Sequence, residues 1–354
     1  MGYRINPKHK PKKEEIMYSV IGLSSGAGIV LYPFYQSPHV EVKAGVECRR
    51  DYLLGGMPTQ FELNFPDVTY STNLEIKPES VDVVIGHPKC GMSSVFALSR
   101  GKKNTSHKNE PSLDLFIAGI HKLFPKYFLL ENLPKLLDTY SEKEFEEIFA
   151  NYKLIFWHGS VSEFGNSQKS RKRLIIIGIR ADIYTKRAHK LLSKPKPVYA
   201  PQTTGHLLMH LPENGHITED IEDEITIYGG KKMYLWQLEN YWKKNTDLTR
   251  FAVNKGNMKY APGVYINRAD DYPKTVRKTN RQFNPDGIQM SPREMARIQG
   301  VPDTFKLCMP SKGCKYEEKT LINKGRLSIA NTPPYEVGLW FKLCMDKLFR
   351  INNK

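Results

Sequence analysis

An apolar run leads directly into a pair of glycines in the segment Tyr18-Ser-Val-Ile-Gly-Leu-Ser-Ser-Gly-Ala-Gly28. Its first half, Tyr18 to Leu23, is a mainly apolar run of strand length, which is typical of a strand buried on both faces of a parallel sheet. The glycines that follow let the backbone turn tightly and approach a nucleotide-like ligand closely. The stretch predicts a buried strand that leads into a ligand-binding turn. A plain tight turn fits the same residues, because the third glycine of the dinucleotide fingerprint is missing.

Comparable apolar runs recur downstream and alternate with stretches of helical spacing. The runs are Val81-Asp-Val-Val-Ile85, Tyr127-Phe-Leu-Leu130 and Leu174-Ile-Ile-Ile-Gly-Ile179, and the segment from Pro111 to Phe124 has the spacing of an amphipathic helix. Alternating strands and helices are the pattern of a parallel sheet with helices on its faces. We therefore expect an α/β fold with a mainly parallel sheet.

The sequence changes in style beyond about Leu191, which indicates a second domain. It becomes rich in proline and then polar, aromatic and glycine-containing as far as Gly287, whereas Glu336 to Phe349 returns to helical spacing and is expected to pack on the first domain. Within the second region, Ser291-Pro-Arg-Glu294 predicts a helix start with a serine cap. The predicted division is a basic N-terminal arm at 1–17, an α/β domain at 18–188 and 322–354, and a smaller mixed domain at 189–321.

The composition is that of a basic protein with enough apolar residues to fold. The 354 residues include 53 Lys and Arg against 37 Asp and Glu, a formal net charge of +16, and 40% are hydrophobic. The hydrophobic fraction excludes wholesale disorder, and the charge permits a polyanionic partner without telling DNA from RNA or an acidic protein. No run approaches the roughly 18 apolar residues of a membrane span, and the basic N-terminus lacks an apolar core, so we expect no membrane segment and no secretory signal.

The five cysteines show no paired spacing, which favours a reducing compartment; they are Cys48, Cys90, Cys308, Cys314 and Cys344. Cysteine and histidine never cluster with the spacing of metal ligands, so no metal site is expected.

Reactive side chains follow several of the predicted strands. Glu47 ends the run Val42 to Val46, and an acid about 20 residues after a glycine turn suits the two hydroxyls of a ribose. Cys90 follows the run that ends at Ile85. There it can attack a ligand bound over the sheet edge if Lys89 or a helix N-terminus lowers the pKa of its thiol. The simpler alternatives are a solvated acid and an inert, apolar cysteine.

Two later strand boundaries carry further candidates. Glu131 follows the run from Tyr127 to Leu130 and can serve as a proton donor if burial raises the pKa of its carboxyl group. Arg171 and Arg173 precede the last apolar run, and strand alternation predicts that they share one face, where arginines bind phosphate or an electron-rich base. An acid that caps a turn and a solvated basic strand end are the simpler alternatives.

Taken together and in order, these segments resemble those of the cytosine carbon-5 DNA methyltransferases, which use S-adenosyl-L-methionine. The resemblance spans about residues 18 to 349. The matching segments are Leu23-Ser-Ser-Gly-Ala-Gly28, Glu47, Asp82-Val-Val-Ile-Gly-His-Pro-Lys-Cys90, Glu131-Asn-Leu133, Gln168-Lys-Ser-Arg-Lys-Arg173, Tyr272-Pro-Lys-Thr-Val276, Ser291-Pro-Arg-Glu-Met-Ala-Arg-Ile-Gln-Gly-Val-Pro-Asp303 and Ile329-Ala-Asn-Thr-Pro-Pro334.

The resemblance implies a Rossmann-like S-adenosylmethionine-dependent methyltransferase domain, at 18–188 and 322–354, beside a target-recognition domain. It implies that a cytosine is flipped out of double-stranded DNA, that Cys90 adds to carbon 6 and that carbon 5 takes the methyl group. It also implies that Glu131 donates a hydrogen bond or proton to ring nitrogen 3 during the addition of Cys90, and that Arg171 and Arg173 bind the flipped base and its backbone. The implied cofactor-binding residues are Ser25, Gly26, Ala27, Gly28, Glu47, Asn73, Pro88 and Asn331, and the implied substrate contacts are Asn132, Ser94 and Gln168.

The resemblance also implies a DNA (cytosine-5)-methyltransferase that is a monomer in the cytoplasm of a prokaryotic or phage-infected cell. Such an enzyme acts beside a cognate restriction endonuclease or protects phage DNA. Basic and aromatic residues interleave between 228 and 263, which suits contacts with phosphates and bases. The base sequence that is read does not follow from them.

The chain departs from the family pattern near several of these positions. The family's Pro-Pro-Cys-Gln reads Pro88-Lys-Cys-Gly91, the Asp that contacts adenine is Asn73, and the Gly-Asn pair reads Ala330-Asn331. Gln168 lies one residue farther from the arginine pair than in the common pattern. These departures leave three possibilities open: an active methyltransferase of divergent lineage, a relative with an altered pyrimidine or methyl donor, or a weakened enzyme. An RNA cytosine-5 methyltransferase and a catalytically silent DNA-binding homologue are the alternative functions.

Overall fold

The computed structural model describes residues 17–48, 57–73, 81–89, 110–209, 224–227, 231–234, 265–276, 282–283, 290–307 and 329–352. The chain forms two compact units. The first comprises Met1–Gly165, Lys172–Tyr199 and Thr332–Lys354, and the second comprises Asn166–Arg171 and Ala200–Asn331. The predicted basic arm lies outside the described residues except for Met17.

Within the described residues, the first unit contains a seven-stranded sheet with the order β3-β2-β1-β4-β5-β7-β6. Strands β1 to β5 pair in parallel, and β7 runs antiparallel to both β5 and β6. The predicted α/β fold with a mainly parallel sheet is confirmed. The strands are β1 (Tyr18–Leu23), β2 (Val40–Val46), β3 (Thr69–Ser71), β4 (Val83–Gly86), β5 (Tyr127–Asn132), β6 (Tyr152–Ser160) and β7 (Lys172–Arg180).

The order of the strands fixes where a ligand binds. From β1 the chain proceeds outward in one direction through β2 to β3, and it then returns to the other side of β1 with β4 and β5. Ligands of open α/β sheets bind at such a switch point, outside the carboxyl ends of the strands. The segments that follow β1, β2, β4 and β5 therefore define the candidate site.

Helices cover both faces of this sheet. Helix α3 begins with a proline at its first turn and presents Phe116 and Ile120 to the core formed with Ile21 of β1. Tyr18 of β1 contacts α8 instead, where its ring stacks on Phe349 with a centroid distance of 4.5 Å. The helices of the first unit are α1 (Tyr32–Tyr35), α2 (Met57–Asn64), α3 (Pro111–Leu123), α4 (Glu142–Ile148), α5 (Lys186–Leu192) and α8 (Tyr335–Asn352), with short 3-10 turns at Pro134–Asp138, Val161–Phe164 and Ala181–Ile183.

Helix α8 approaches the segment after the glycine turn closely. A Cβ atom built on Gly338 would overlap the backbone of Val30, so only glycine allows this contact. Tyr18 adds a polar tie, because its hydroxyl donates to Asp346 Oδ1 over 2.8 Å. The carboxyl-terminal helix therefore helps to hold β1 and the turn that follows it.

The second unit is mixed. It contains α6 (Thr204–Leu208), the antiparallel pair β8 (Glu224–Ile227) and β9 (Lys231–Tyr234), the parallel pair β10 (Tyr265–Ile266) and β11 (Gln282–Phe283), and α7 (Pro292–Ile298). The predicted start of α7 is confirmed, since Ser291 and Glu294 form a capping box ahead of Pro292. Among the described residues, no helix combines the length and the apolar character that crossing a bilayer requires.

Candidate active site

The glycine turn after β1 contacts a buried carboxylate, that of Glu47. Gly26 donates its backbone N–H to Glu47 Oε2 over 3.1 Å, and Cys48 donates its own to Glu47 Oε1 over 3.0 Å. Gly26 and Gly28 have φ angles of 54° and 80°, a region that glycine adopts without steric cost. Only 4% of Glu47 is exposed. The structure thus brings together the turn and the acid that were both predicted to bind a cofactor.

Two buried polar atoms of the turn region have no hydrogen-bond partner among the described residues: Ser25 Oγ and His87 Nε2. Ser25 is 1% exposed, and His87 directly follows β4. Buried polar groups are nearly always satisfied in folded proteins. Two such atoms at the ligand-binding edge of the sheet therefore indicate a place for polar groups of a ligand.

His87 is held as a neutral base. Its Nδ1 lies 2.7 Å from the Ser24 carbonyl oxygen, which can only accept, so Nδ1 carries the proton and Nε2 is a bare acceptor. Burial, together with the positive charge of Arg173, lowers the pKa of His87 to about 4. Sequence reasoning did not single out His87, although it stands inside the segment that leads to Cys90.

Each residue between β4 and Cys90 is fixed by a hydrogen bond. His87 is bonded to Ser24, Asn132 Nδ2 donates to the Pro88 carbonyl over 3.0 Å, and the Lys89 N–H donates to Ser112 Oγ over 2.9 Å. These contacts tie the segment to β1, β5 and α3. Asn132 therefore orients the chain that leads to the predicted nucleophile. Cys90 and Ser94 themselves lie outside the described residues.

Glu131 and Arg173 form an ion pair at the end of β5. Arg173 Nε lies 2.7 Å from Glu131 Oε1, and the two side chains are 13% and 5% exposed. The antiparallel register explains the contact, because Glu131 pairs with Ile175 of β7 and Arg173 stands at the start of that strand. The guanidinium group orients the predicted catalytic carboxyl group in surroundings where charges interact strongly.

Arg171 has a different environment, in the second unit. It is 2% exposed, and its Nη1 donates to the Val276 carbonyl over 3.2 Å. Strand β7 begins only at Lys172, so the expectation that Arg171 and Arg173 share a strand face does not apply. The role predicted for Arg171 stays a prediction.

Gln168 is the centre of a buried polar cluster in the second unit. Its Nε2, which carries two hydrogens, lies within hydrogen-bond distance of Asn166 Oδ1, the Ile298 carbonyl and Gln299 Oε1, at 3.1, 3.2 and 2.7 Å, and its Oε1 accepts the Val276 N–H over 2.7 Å. The amide is therefore occupied by protein atoms, and the predicted substrate contact of Gln168 stays a prediction. Sequence reasoning missed Asn166 and Gln299 as members of this cluster.

The remaining predicted site residues differ in their solvent exposure. Ala27 and Pro88 are buried, whereas Asn73, just after β3, and Asn331, in the second unit, are exposed. Within the described residues, no group of three or more His, Cys, Asp or Glu side chains is placed to hold a metal ion.

Comparisons with known proteins identify a family that matches most of the chain. The model of the C-5 cytosine-specific DNA methylases matches residues 18–318. The chain is similar to the Type II methyltransferase M.PspPI of Psychrobacter sp. (strain TA137), at 26% identity over 207 residues that cover 53% of this chain and 48% of that protein. It is also similar to the Type II methyltransferase M1.ScrFI of Lactococcus lactis subsp. cremoris, at 24% identity over 313 residues that cover 81% of this chain and 70% of that protein.

A solved structure shares the fold. The Entamoeba histolytica methyltransferase EhMeth superposes with a TM-score of 0.60 at 12% identity, covering 94% of this chain and 98% of that one. The family match extends from β1 across both units, and it includes the turn around Glu47 and the pair of Glu131 and Arg173. The protein therefore belongs to the C-5 cytosine-specific DNA methylase family.

Proposed function

We propose that the protein methylates carbon 5 of a cytosine in double-stranded DNA, with S-adenosylmethionine as the methyl donor. The observation that carries the proposal is the anchored segment 87–89, which leads to Cys90 and lies at the same sheet edge as the pair of Glu131 and Arg173. A nucleophile and a carboxyl group at neighbouring strand ends are what addition to a pyrimidine ring requires.

The residues around the glycine turn fit S-adenosylmethionine. The Glu47 carboxylate is buried and accepts the Gly26 N–H of the glycine turn, and carboxylates in this position accept from ribose hydroxyls. Ser25 Oγ and His87 Nε2 offer further polar contacts. When bound, the cofactor supplies a methyl group on a sulfonium centre. Gly26, Ala27, Gly28, Asn73, Pro88 and Asn331 complete the proposed cofactor site.

The proposed chemistry uses the chain's own side chains on a flipped base. The Cys90 thiolate forms a bond to carbon 6 of the cytosine, while the Glu131 carboxyl group donates a hydrogen bond or proton to ring nitrogen 3, which stabilises the negative charge that moves onto the ring. Carbon 5 thereby becomes nucleophilic and takes the methyl group. A base then removes the carbon-5 proton, the ring double bond re-forms and the bond to Cys90 breaks. Arg173 keeps Glu131 in place, and Arg171 is proposed to hold the base or its backbone.

The second unit is the proposed target-recognition domain, and the substrate is proposed to be DNA rather than RNA. The net charge of +16 supports a nucleic-acid partner. The similarity to Type II methyltransferases supports a role beside a restriction endonuclease of the same specificity, in the cytoplasm of a prokaryotic or phage-infected cell. Ser94, Asn132 and Gln168 remain proposed substrate-side residues, and a monomer is the proposed state.

The test is methyl transfer from labelled S-adenosylmethionine to mixed-sequence duplex DNA and, separately, to transfer RNA, followed by mass spectrometry of the nucleosides. We expect 5-methyldeoxycytidine from DNA, no label in RNA, and loss of the product with Cys90→Ser. Cys344→Ser is the matched control, because Cys344 is a buried thiol of α8 whose pKa burial raises to about 12. Product from Cys90→Ser, or label in RNA alone, would contradict the proposal.

A further inference from the structure

His87 packs directly against the glycine turn. A Cβ atom built on Gly26 would lie 2.9 Å from His87 Cε1 and 3.2 Å from Nε2. The ring is fixed there by the bond from Nδ1 to the Ser24 carbonyl. Its second nitrogen is buried without a hydrogen-bond partner among the described residues. A side chain that is anchored through one nitrogen presents the other at a constant position.

The chemistry of Nε2 limits what can bind it. With the proton on Nδ1, Nε2 has a lone pair and no hydrogen, so only a hydrogen-bond donor can satisfy it. A carboxylate would meet the lone pair with its own, and a sulfonium or thioether has no N–H or O–H to give. The ligand group must be an ammonium, an amino or amide N–H, or a hydroxyl.

The order of the strands selects among the donors of S-adenosylmethionine. Glu47 follows β2 and Asn73 follows β3, on one side of β1, whereas His87 follows β4 on the other side. If the ribose lies at Glu47 and the adenine contacts Asn73 on the β3 side, as proposed, the β4 side is left for the amino-acid end. The donor at that end is the ammonium group of the methionyl moiety.

We propose that His87 binds the amino-acid end of S-adenosylmethionine by accepting a hydrogen bond from its ammonium group at Nε2. Ser25 Oγ, another buried atom with no hydrogen-bond partner among the described residues, lies on the adjoining turn, and its hydroxyl can donate to the carboxylate of the same moiety. The inference rests on the proposed function in one respect, namely that S-adenosylmethionine is the cofactor.

The test compares two ligands that differ only at the amino-acid end. S-adenosylhomocysteine carries the ammonium group, and 5′-methylthioadenosine lacks the whole amino-acid moiety. Calorimetry with the full chain measures both dissociation constants for wild type, His87→Phe and His87→Gln. His158→Phe is the matched control, because His158 is exposed on the edge strand β6 of the same sheet.

We expect His87→Phe to weaken S-adenosylhomocysteine on the order of 10- to 100-fold, as for the loss of a hydrogen bond to a charged group. The affinity for 5′-methylthioadenosine should change by less than about twofold. The affinity of His87→Gln for S-adenosylhomocysteine should lie nearer to that of wild type, because glutamine keeps a hydrogen-bond donor and an acceptor. Equal weakening of both ligands, or none, would overturn the inference while leaving the proposed function standing. Failure of the wild-type chain to bind S-adenosylhomocysteine would instead remove the proposed cofactor.

A second measurement needs no stable variant of the ring. In the ¹⁵N spectrum of the wild-type histidine rings, one bare Nε2 resonance should shift when S-adenosylhomocysteine is added and stay in place with 5′-methylthioadenosine. A bare nitrogen that accepts a hydrogen bond changes its shielding, whereas a merely structural ring does not respond to the amino-acid end. A spectrum in which no ring nitrogen distinguishes the two ligands would overturn the inference.

Discussion

Arg173 Nε lies 2.7 Å from Glu131 Oε1, and both side chains are nearly buried. The contact exists because β7 is inserted antiparallel between β5 and β6, so that its first residues reach the carboxyl end of β5. Residues from distant parts of the chain thus meet at one strand end, where the proposed carboxyl group of the reaction is oriented.

Removing Arg173 should lower both turnover and stability. Arg173→Ala leaves Glu131 buried without its ionic partner, which typically costs about 3–5 kcal/mol of unfolding free energy, and we expect kcat to fall by about 10²- to 10³-fold. Arg173→Lys keeps the charge but loses the planar guanidinium group, so its stability and its kcat should lie between those of wild type and Arg173→Ala. Urea unfolding and single-turnover rates measure these effects.

Arg268→Ala is the control for that comparison. Arg268 pairs with Asp270 in an exposed position, and exposed pairs contribute less than about 1 kcal/mol. Equal losses of stability in Arg173→Ala and Arg268→Ala would show that the buried pair has no special role.

Asn132 should matter for rate more than for cofactor affinity. Its Nδ2 donates to the Pro88 carbonyl, so Asn132→Ala releases the segment that leads to Cys90. We expect a loss of about 1–3 kcal/mol in stability and at least a tenfold lower single-turnover rate, because small misplacements of a reacting group are costly. S-adenosylhomocysteine affinity, measured by calorimetry, should fall less than the rate, because His87 keeps its separate hydrogen bond to the Ser24 carbonyl.

Asn64→Ala provides the matched control, since buried Asn64 likewise donates to a backbone carbonyl, that of Gln60 over 2.9 Å. It should cost similar stability and leave the rate of methyl transfer unchanged. A normal rate in Asn132→Ala would show that the tie to Pro88 does not position the nucleophile.

His87 should make stability depend on pH between about 4 and 6.5. Its pKa is lowered to about 4 in the folded state by burial and by Arg173, the partner of Glu131, whereas an unfolded histidine titrates near 6.5. The unfolded chain therefore binds more protons in this window, and stability falls as the pH drops through it. Between pH 7 and 5 the loss should be about 1–2 kcal/mol.

Urea unfolding of wild type and His87→Gln at both pH values isolates this contribution from the other titrating groups. The variant should show a smaller loss on acidification. The same pH dependence in both proteins would mean that His87 is not held neutral in the folded state.

Gln168 should act chiefly on the stability of the second unit. Its amide is bonded to Asn166, Gln299 and the backbone of Ile298 and Val276, so Gln168→Ala leaves several buried polar groups without partners and should cost at least about 2 kcal/mol. Gln202→Ala, at an exposed position near α6, should stay within about 0.5 kcal/mol. An unchanged unfolding curve for Gln168→Ala, with weaker DNA binding, would support a substrate contact instead.

The sequence predicts the central strands better than the edges. Continuous apolar runs indicate β1, β4, β5 and β7 because these strands are buried on both faces. Strand β6 lies at the edge of the sheet with mixed burial, and β3 has only 3 residues. The run in β3 is too short to stand out from its surroundings.

The residues of the candidate site likewise differ in how well the sequence predicts them. Glu47 and Glu131 could be predicted because an acid at the end of a buried strand is visible in the sequence. The role of His87 could not, because its lowered pKa depends on burial by the folded chain and, secondly, on Arg173 from a distant strand end. The buried cluster around Gln168 likewise joins segments more than 100 residues apart, and no local pattern records such contacts.

Release of tritium from duplex DNA labelled at carbon 5 of cytosine shows directly whether methylation occurs at that carbon. In the presence of the protein and S-adenosylmethionine, we expect about one tritium in water for each methyl group transferred, since carbon 5 must lose its hydrogen. Methyl transfer without release of tritium would place the reaction at another atom and rule out the proposed function.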